Sequence, residues 1–455
     1  MKIKKHILLS TVSALLVSFL PFQTIAAVPE RDVAKLGTTL TPLGGEKAGN
    51  AAGTIPAWEG LPVSAGAVDD GGFLADPFAN EKPLFVITAN NVSQHSQFLT
   101  VGQLEMFRRY NTYQMPVYPS HRTASVSPAV AADAKSNALL TTLIPNGAGL
   151  EHFKNSYPFP IPKNGQEIIW NHLLRYRGDT VKGNVALLVK EEDGSFTKII
   201  VNENSAFHDA LVSANPGKYE NIMALQKYRI VTPANLSKNG ILVRMSLNPI
   251  KTPTEAWNYV ASQNRVRRAP QLAYDGDALP TGGIFNFDDM DLFNGSPDRY
   301  DWQLVGKKEI YVPYNNYKMD SPQLTYNDIV QPNHINPDTT RYELHRVWHV
   351  IASLKPGQEH AYAKREFYFD EDSWQILHVD NYDNKGQLWR VAESFAQQYY
   401  HKQIPGKAAD VYYDLSSGRY AVYGLRNEQM SSYQFDAEFV ETDYSPISLE
   451  ANTFD

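Results

Sequence analysis

From Asn184 to Leu425 the chain is written largely in period two. "NVALLVK" and "SFTKIIV" flank "EEDGS", and "KYRIVTP" and "GILVRMSLN" flank "ANLSKN". Then come "DWQLVGKKEIYVPYN", "YELHRVWHVIASL", three strands within 361–391, and "DVYYDL" and "RYAVYGL" around "SSG". Apolar residues at every second position put one face of each segment on a core, and turns this short leave no room for crossover helices. The pattern predicts an antiparallel meander of about eleven strands. A sheet of that width curls rather than staying flat. No repeat or Pro/Gly/Ser linker divides the region, so one curved sheet or open barrel packed with helices is expected, a mainly β, α+β chain.

The helices precede the strands. "TVGQLEMFRRYNTY" sets Leu104, Phe107 and Tyr110 on one face, Ser127 and Pro128 open a second helix, and "PKNGQEIIWNHLLRYRGD" sets Ile169, Leu173 and Tyr176 on one side of a third. Residues 27–95 are rich in Gly, Pro, Ala and Thr and read as an irregular arm laid on the body, with Trp58 as its anchor. Residues 96–455 read as a single domain. Residues 1–26, with Lys2, Lys4 and Lys5 before the apolar run Ile7 to Leu20, read as a cleaved secretory signal. The expected setting is the periplasm.

The chain has 42 basic and 49 acidic residues, a net charge of −7 that becomes −10 once a leader with three lysines and no acid is removed. That balance argues against nucleic acid or an anionic lipid surface as a partner bound by bulk charge. The chain has no cysteine, so disulfides, thiolate metal sites and a lipid anchored on cysteine are excluded.

Within 361–391, "AYAKREFYFDEDSWQILHVDNYDNKGQLWRV", acids gather at "DEDS" and "DNKG" while aromatic residues run along the strands. Asp380, Asp383 and Gly386 lack the ligands of a calcium loop and read as a turn. His345 and His349 would lie about 13 Å apart on one strand face, too far to share a metal. Asp288, Asp289 and Asp291 are read as a capped loop rather than a metal site. Arg265, Arg267 and Arg268 form either a clamp for an anionic head group or structural ion pairs with Asp288, Asp289 or Asp298. No phosphate loop, nucleophile elbow or zinc-protease motif occurs, so no enzyme, metal or cofactor is expected. Twelve per cent of the residues are aromatic. Trp257, Tyr259, Trp302, Tyr311, Phe367, Phe369, Trp374 and Trp389 are either sheet core or the wall of a hydrophobic cavity.

Five stretches in order, "LTPLGGEKAGNAAGTIPAWEG", "PFPIPKNGQEIIWNHLLRYRG", "QNRVRRAPQLAYDGD", "FNFDDMDLFNGSPDRYDWQLVGKKEIYVPYN" and 361–391, resemble the periplasmic family catalogued as domain of unknown function 1329. That family is itself similar to the outer-membrane lipoprotein-sorting carriers LolA and LolB. The resemblance implies an unclosed barrel whose concave face is covered by helices, and a carrier or chaperone for a lipid or acyl chain. It also implies partnership with a resistance-nodulation-division type transporter and an outer-membrane protein. The lid is expected within 96–150 or 269–300. Two other readings stay open: a periplasmic glycan-binding or glycan-modifying protein, and a structural adaptor without cargo.

Overall fold

The computed structural model describes residues 28–450 apart from positions 63, 192, 270–273 and 277–278. The expected leader, 1–26, lies outside the described residues. Thirteen strands run antiparallel between 180 and 425: β1 (Thr180–Lys190), β2 (Phe196–Phe207), β3 (Ile222–Thr232), β4 (Gly240–Ser246), β5 (Glu255–Val260), β6 (Arg265–Arg268), β7 (Tyr300–Pro313), β8 (Tyr342–Leu354), β9 (Lys364–Asp370), β10 (Ile376–Tyr382), β11 (Leu388–Tyr399), β12 (Ile404–Asp414) and β13 (Tyr420–Leu425). Eleven are the expected strands. The other two, β5 and β6, form a last hairpin through Asn264, whose left-handed backbone (φ 46°) makes the turn.

Two meanders, β1 to β6 and β7 to β13, join where β13 pairs with β1, Val422 opposite Leu188. Short strands Phe85–Ile87, Met115–Val117 and Gln434–Phe435 bring the sheet to sixteen. Among the described residues β6 pairs only with β5 and β7 only with β8, so the barrel is open.

The curl is seen in one helix that packs on β7, one margin of the sheet, and faces β3 and β4, three and two strands from the other margin. Four helices matter: α1 (Val101–Arg109), α2 (Pro128–Leu140), α3 (Gly165–Leu173) and α4 (His208–Ala214). The Asn164 side chain caps α3 by accepting from the Glu167 N–H at 2.9 Å. A Cβ on Gly165 would lie 2.7 Å from the Trp302 carbonyl oxygen on β7, while Trp170 and Leu173 face Met223, Val243 and Met245 on β3 and β4. Strands this far apart in the sheet order meet one helix only if the sheet wraps around it. The face carrying Val185, Val201, Val243, Trp302, Val350, Phe367 and Ala392 is therefore the concave one.

Alongside α3, the segment 279–299 crosses this concave face. Phe285 stacks on Tyr412 with ring centres 4.2 Å apart, and Phe293 meets Trp302 and Phe367 edge-on at 5.3 and 5.8 Å. Each buried ring is worth about 1.5–3 kcal/mol of transfer free energy, so the crossing segment is itself part of the core. Of the two stretches expected to hold a lid, 269–300 contains this crossing segment, and 96–150 is divided between the two faces of the sheet. Helix α1 packs outside, Met106 and Phe107 clustering with Val391, Phe395 and Tyr413. The reason is that alternating positions on β11 and β12 are apolar on both faces, and the outer one also requires cover. Helix α2 supports the concave side through Val130 and Ala134. On β2 to β5 the outer face is covered by Leu211 of α4 and by Tyr444 and Leu449.

The N-terminal arm is irregular from 28 to 84 apart from one helical turn, Glu30–Val33, and isolated bridges. Trp58 pins it, its indole N–H donating to the Ala124 carbonyl at 2.8 Å.

Candidate functional site

The acids of 361–391 form neither a metal site nor an open acid pair. Asp370 accepts from the Ser373 N–H at 3.0 Å and hydroxyl at 2.6 Å, closing the expected turn. Glu371 and Asp372 hold the buried Arg122 at 3.1 and 2.7 Å, and Glu371 also takes Arg346 at 2.6 Å. Burial pushes Asp372 up to about 7 against the pull of Arg122. Asp383 accepts from the Lys385 and Gln387 N–H groups, again a turn. Among the described residues no three His, Cys, Asp or Glu side chains converge as metal ligands.

The expected pairing of Arg265, Arg267 and Arg268 with Asp288, Asp289 or Asp298 does not form. Asp288 and Asp289 pair with Arg365, fully buried on β9, at 2.9 and 2.7 Å, with His360 and Tyr362 completing the shell. The three arginines stand exposed on the edge strand β6, because the loop that follows carries the aspartates across the barrel. Arg268 pairs with Glu255 at 2.8 Å.

The eight aromatic residues are divided among four places. Trp302, Phe367, Phe369 and Trp374 lie in the concave core under α3 and the crossing segment. Trp374 has a left-handed backbone (φ 61°) and donates its indole N–H to the Leu43 carbonyl at 2.8 Å, so it belongs to the turn before β10 rather than to the strand. Trp257 and Tyr259 face outward beneath Tyr444 and Leu449. Tyr311 sits under Phe98 and Phe85. Trp389 is half-buried, with its indole N–H on Asp414 at 3.2 Å. None of the eight lines the inner-face cavity that Asp291 of the crossing segment borders.

That cavity, about 130 Å³, lies between the inner faces of β1 to β3 and β12 to β13. Phe207, Tyr228, Ile404, Tyr423 and Met290 give it apolar and phenolic walls. At its floor one carboxylate, Asp291 of the crossing segment, collects three cations. Arg175 reaches both oxygens at 2.6 and 2.7 Å, Lys407 lies at 2.6 Å and Arg177 at 3.2 Å. Burial opposes its ionisation, but Arg175, Lys407 and Arg177 hold Asp291 well below the usual carboxylate range. Burial and the adjacent Arg175 push the Arg177 guanidinium down to about 10. Across the cavity burial raises Glu203, which accepts from the Tyr423 and Tyr433 hydroxyls.

His172 of α3 ties the crossing segment down from beneath. Its Nε2 contacts the carbonyls of Asp291 and Phe293 at 3.0 and 3.2 Å, while Nδ1 accepts from the Ile376 N–H at 3.1 Å. Burial and Arg175 push this ring well below the ordinary histidine range, so it is neutral, with the proton on Nε2. A second void of about 30 Å³, walled by Trp170, Met223 and Met245, lies on the far side of Asn294, which borders both spaces. The crossing segment thus has open space along its length on either side.

Arg175, Arg177, Lys407 and Glu203 were not among the residues that sequence reasoning singled out, and Asp291 was read as part of a capped loop rather than as an ion-pair centre. A signal was present. On β2 the inward positions run Val201, Glu203, Ser205, and on β3 Ile230, Tyr228, Gln226, so the inward face turns polar toward one end of the barrel.

A family model described as "Protein of unknown function (DUF1329)" matches residues 86–450, and the chain belongs to that family. It is 52% identical over 451 residues, 99% of each chain, to the uncharacterized protein PA3922 of Pseudomonas aeruginosa. Among solved structures it is similar to a DUF1329 family protein from Desulfovibrio piger, with 14% identity and a TM-score of 0.42 over 60% of this chain and 92% of that one. It is also similar to the LolA superfamily protein NE2245 from Nitrosomonas europaea, with 12% identity and a TM-score of 0.39 over 62% and 98%.

Proposed function

We propose that this chain is a periplasmic carrier that binds a hydrophobic ligand, a lipid or acyl chain, on the concave face of its open barrel and releases it without covalent chemistry. One observation carries the reading: a continuous apolar face is covered by a segment that bridges it, held by ion pairs, with voids on both sides. A cavity of about 130 Å³ is close to the size that admits one benzene-sized group. A whole acyl chain therefore enters only as the crossing segment lifts. What the lifted segment gives up in contacts with Trp302, Phe367 and Tyr412, the chain replaces at about 0.8 kcal/mol per buried methylene. Loading and unloading require that this exchange leave the two states close in free energy. The leader pattern in residues 1–26 supports the periplasmic setting. A resistance-nodulation-division type transporter as donor and an outer-membrane protein as acceptor would fit a shuttle between membranes.

The near-complete filling of the concave face favours a second reading, an adaptor without cargo. The glycan reading draws no support: its platform needs exposed tryptophans, and all seven in this chain are buried or half-buried. Organic-solvent extraction of the protein purified from its own periplasm, followed by mass spectrometry, separates carrier from adaptor. The carrier yields a stoichiometric hydrophobe absent from a co-purified control. An empty chain that also takes up no fluorescent fatty acid is an adaptor.

A further inference from the structure

We infer that Asp291 is a built-in stand-in for the anionic head group of the ligand, and that Arg175, Arg177 and Lys407 receive a carboxylate or phosphate in its place when the crossing segment lifts. The inference rests on the carrier reading and names the chemical class of its cargo: an acidic amphiphile, head at the cation nest and tail along the inner face of β3.

The argument starts from where the charges come from. Arg175 and Arg177 follow α3 and Lys407 is on β12, so the nest belongs to the fixed wall. Asp291 belongs to the crossing segment. When that segment moves, Arg175, Arg177 and Lys407 remain beside the cavity, opposed by Asp410 at Lys407 and by Glu203 across the cavity. Glu203 is engaged by the Tyr423 and Tyr433 hydroxyls, while Arg426, also on the cavity wall, is paired with Asp320. Like charges gathered in a water-poor pocket call for an incoming anion, and planar guanidinium groups match the oxygens of a carboxylate or phosphate two at a time.

The nest also has unused donors. The Nε–H groups of Arg175 and Arg177 are buried and have no hydrogen-bond partner, because one carboxylate has too few oxygens to satisfy two guanidinium groups and an ammonium. A phosphate brings three strong acceptor oxygens.

The carboxylate is held at the nest by an unfavourable backbone. Asp291 and Leu292 are consecutive non-glycine residues in the left-handed region, φ 58° and 61°. Such conformations persist when surrounding contacts impose them, here the three ion pairs and the two carbonyl contacts of His172. A competing anion that takes the ion pairs removes much of what imposes the conformation.

The tail has a path. Beyond Met290 the cavity ends at Asn294, and past Asn294 begins the second void with Trp170, Met223 and Met245. Lifting the segment joins the two into one groove with charge at one end and apolar side chains along the rest.

The test is equilibrium binding to the mature protein of three probes with one tail, decanoate, decyl phosphate and decanol, with inorganic phosphate as a fourth. Wild type should bind at least one acidic probe about tenfold or more tighter than decanol, as charge-assisted hydrogen bonds imply. Whichever of decanoate and decyl phosphate binds tighter identifies the head. Asp291→Asn, which removes the internal competitor, should widen the preference for the acids over decanol, and Arg177→Met should erase it. Decanol bound as tightly as both acids by wild type overturns the inference and leaves the carrier reading standing. No binding of any tailed probe overturns both. Inorganic phosphate alone binding as tightly as decyl phosphate would mean an anion site without a tail, and would also overturn the inference. The wild-type comparison needs no variant, so a variant that fails to fold does not remove the test.

Discussion

Lys407 on β12 and Asp291 on the crossing segment lie 2.6 Å apart, although 116 residues separate them in the chain. The contact fastens the element that covers the concave face to the wall of the barrel. Lys407 also pairs with Asp410, so its ammonium is shared between the wall and the cover. Replacing Lys407 with Met should leave Asp291 with its two arginines but take from the buried Asp410 the cation it pairs with, and cost about 3–5 kcal/mol. A urea titration followed by tryptophan fluorescence reads this directly, and an unchanged midpoint would mean that the cover is held by packing alone.

Gly165 is where α3 meets β7. A Cβ there would stand 2.7 Å from the Trp302 oxygen and 2.9 Å from Val350 Cγ1. Gly165→Ala should force the helix off the strand despite its better helix propensity, destabilising the chain by about 1–3 kcal/mol. A gain in stability would show that α3 and β7 are not in this contact.

Two buried histidines bracket the pH of greatest stability. His378 lies under α1, 2.7 Å from Asp380 and 3.4 Å from Glu393. Burial favours the neutral ring, but the two carboxylates raise it to about 9. The folded value lies above the unfolded one, so its contribution, on the order of 3 kcal/mol, is complete below about pH 6.5 and is lost as the pH rises through 9. His172 is depressed, so its contribution is present above about 6.5 and falls as the solution becomes more acid. Thermal melts from pH 4 to 10 should show both flanks, and Asp380→Asn should pull the alkaline flank toward neutral pH.

The exposed arginines of β6 supply a contrast. Replacing Arg265 and Arg267 together with Gln should change stability by no more than about 0.5 kcal/mol, since both side chains stand in solvent on an edge strand. Decanoate affinity should be unchanged in that variant. A loss of affinity would move the head-group site to the barrel's edge.

The sheet was legible because alternation survives in a single sequence. Eleven strands, their turns and the cap at Ser127 could be read from residue type and spacing. The hairpin of β5 and β6 could not, since "EAWNYV" and "RVRR" are short and lack a clean apolar alternation. The crossing segment was harder. "FNFDDMDLFNG" has no period, and what places it is Arg365, 77 residues from Asp288, and Lys407, 116 residues from Asp291. Long-range ion pairs leave no local pattern, so the arginines nearest in sequence, on β6, looked like the partners. Choice of face was hidden for a related reason. Trp257 and Trp302 both sit in strand-like runs, and only the curl of the whole sheet puts one outside and the other inside.

The central claim is that 279–299 moves aside when ligand binds. Because the chain has no cysteine, one introduced thiol is a clean reporter. Ile284 is buried in the concave core on that segment, borders neither void, and Ile284→Cys removes little volume. The rate at which this thiol reacts with a water-soluble maleimide should be slow in the free protein and rise at least about tenfold when decanoate or decyl phosphate is bound. A rate unchanged at saturating ligand would contradict the account, because the chain would then be binding without lifting its cover.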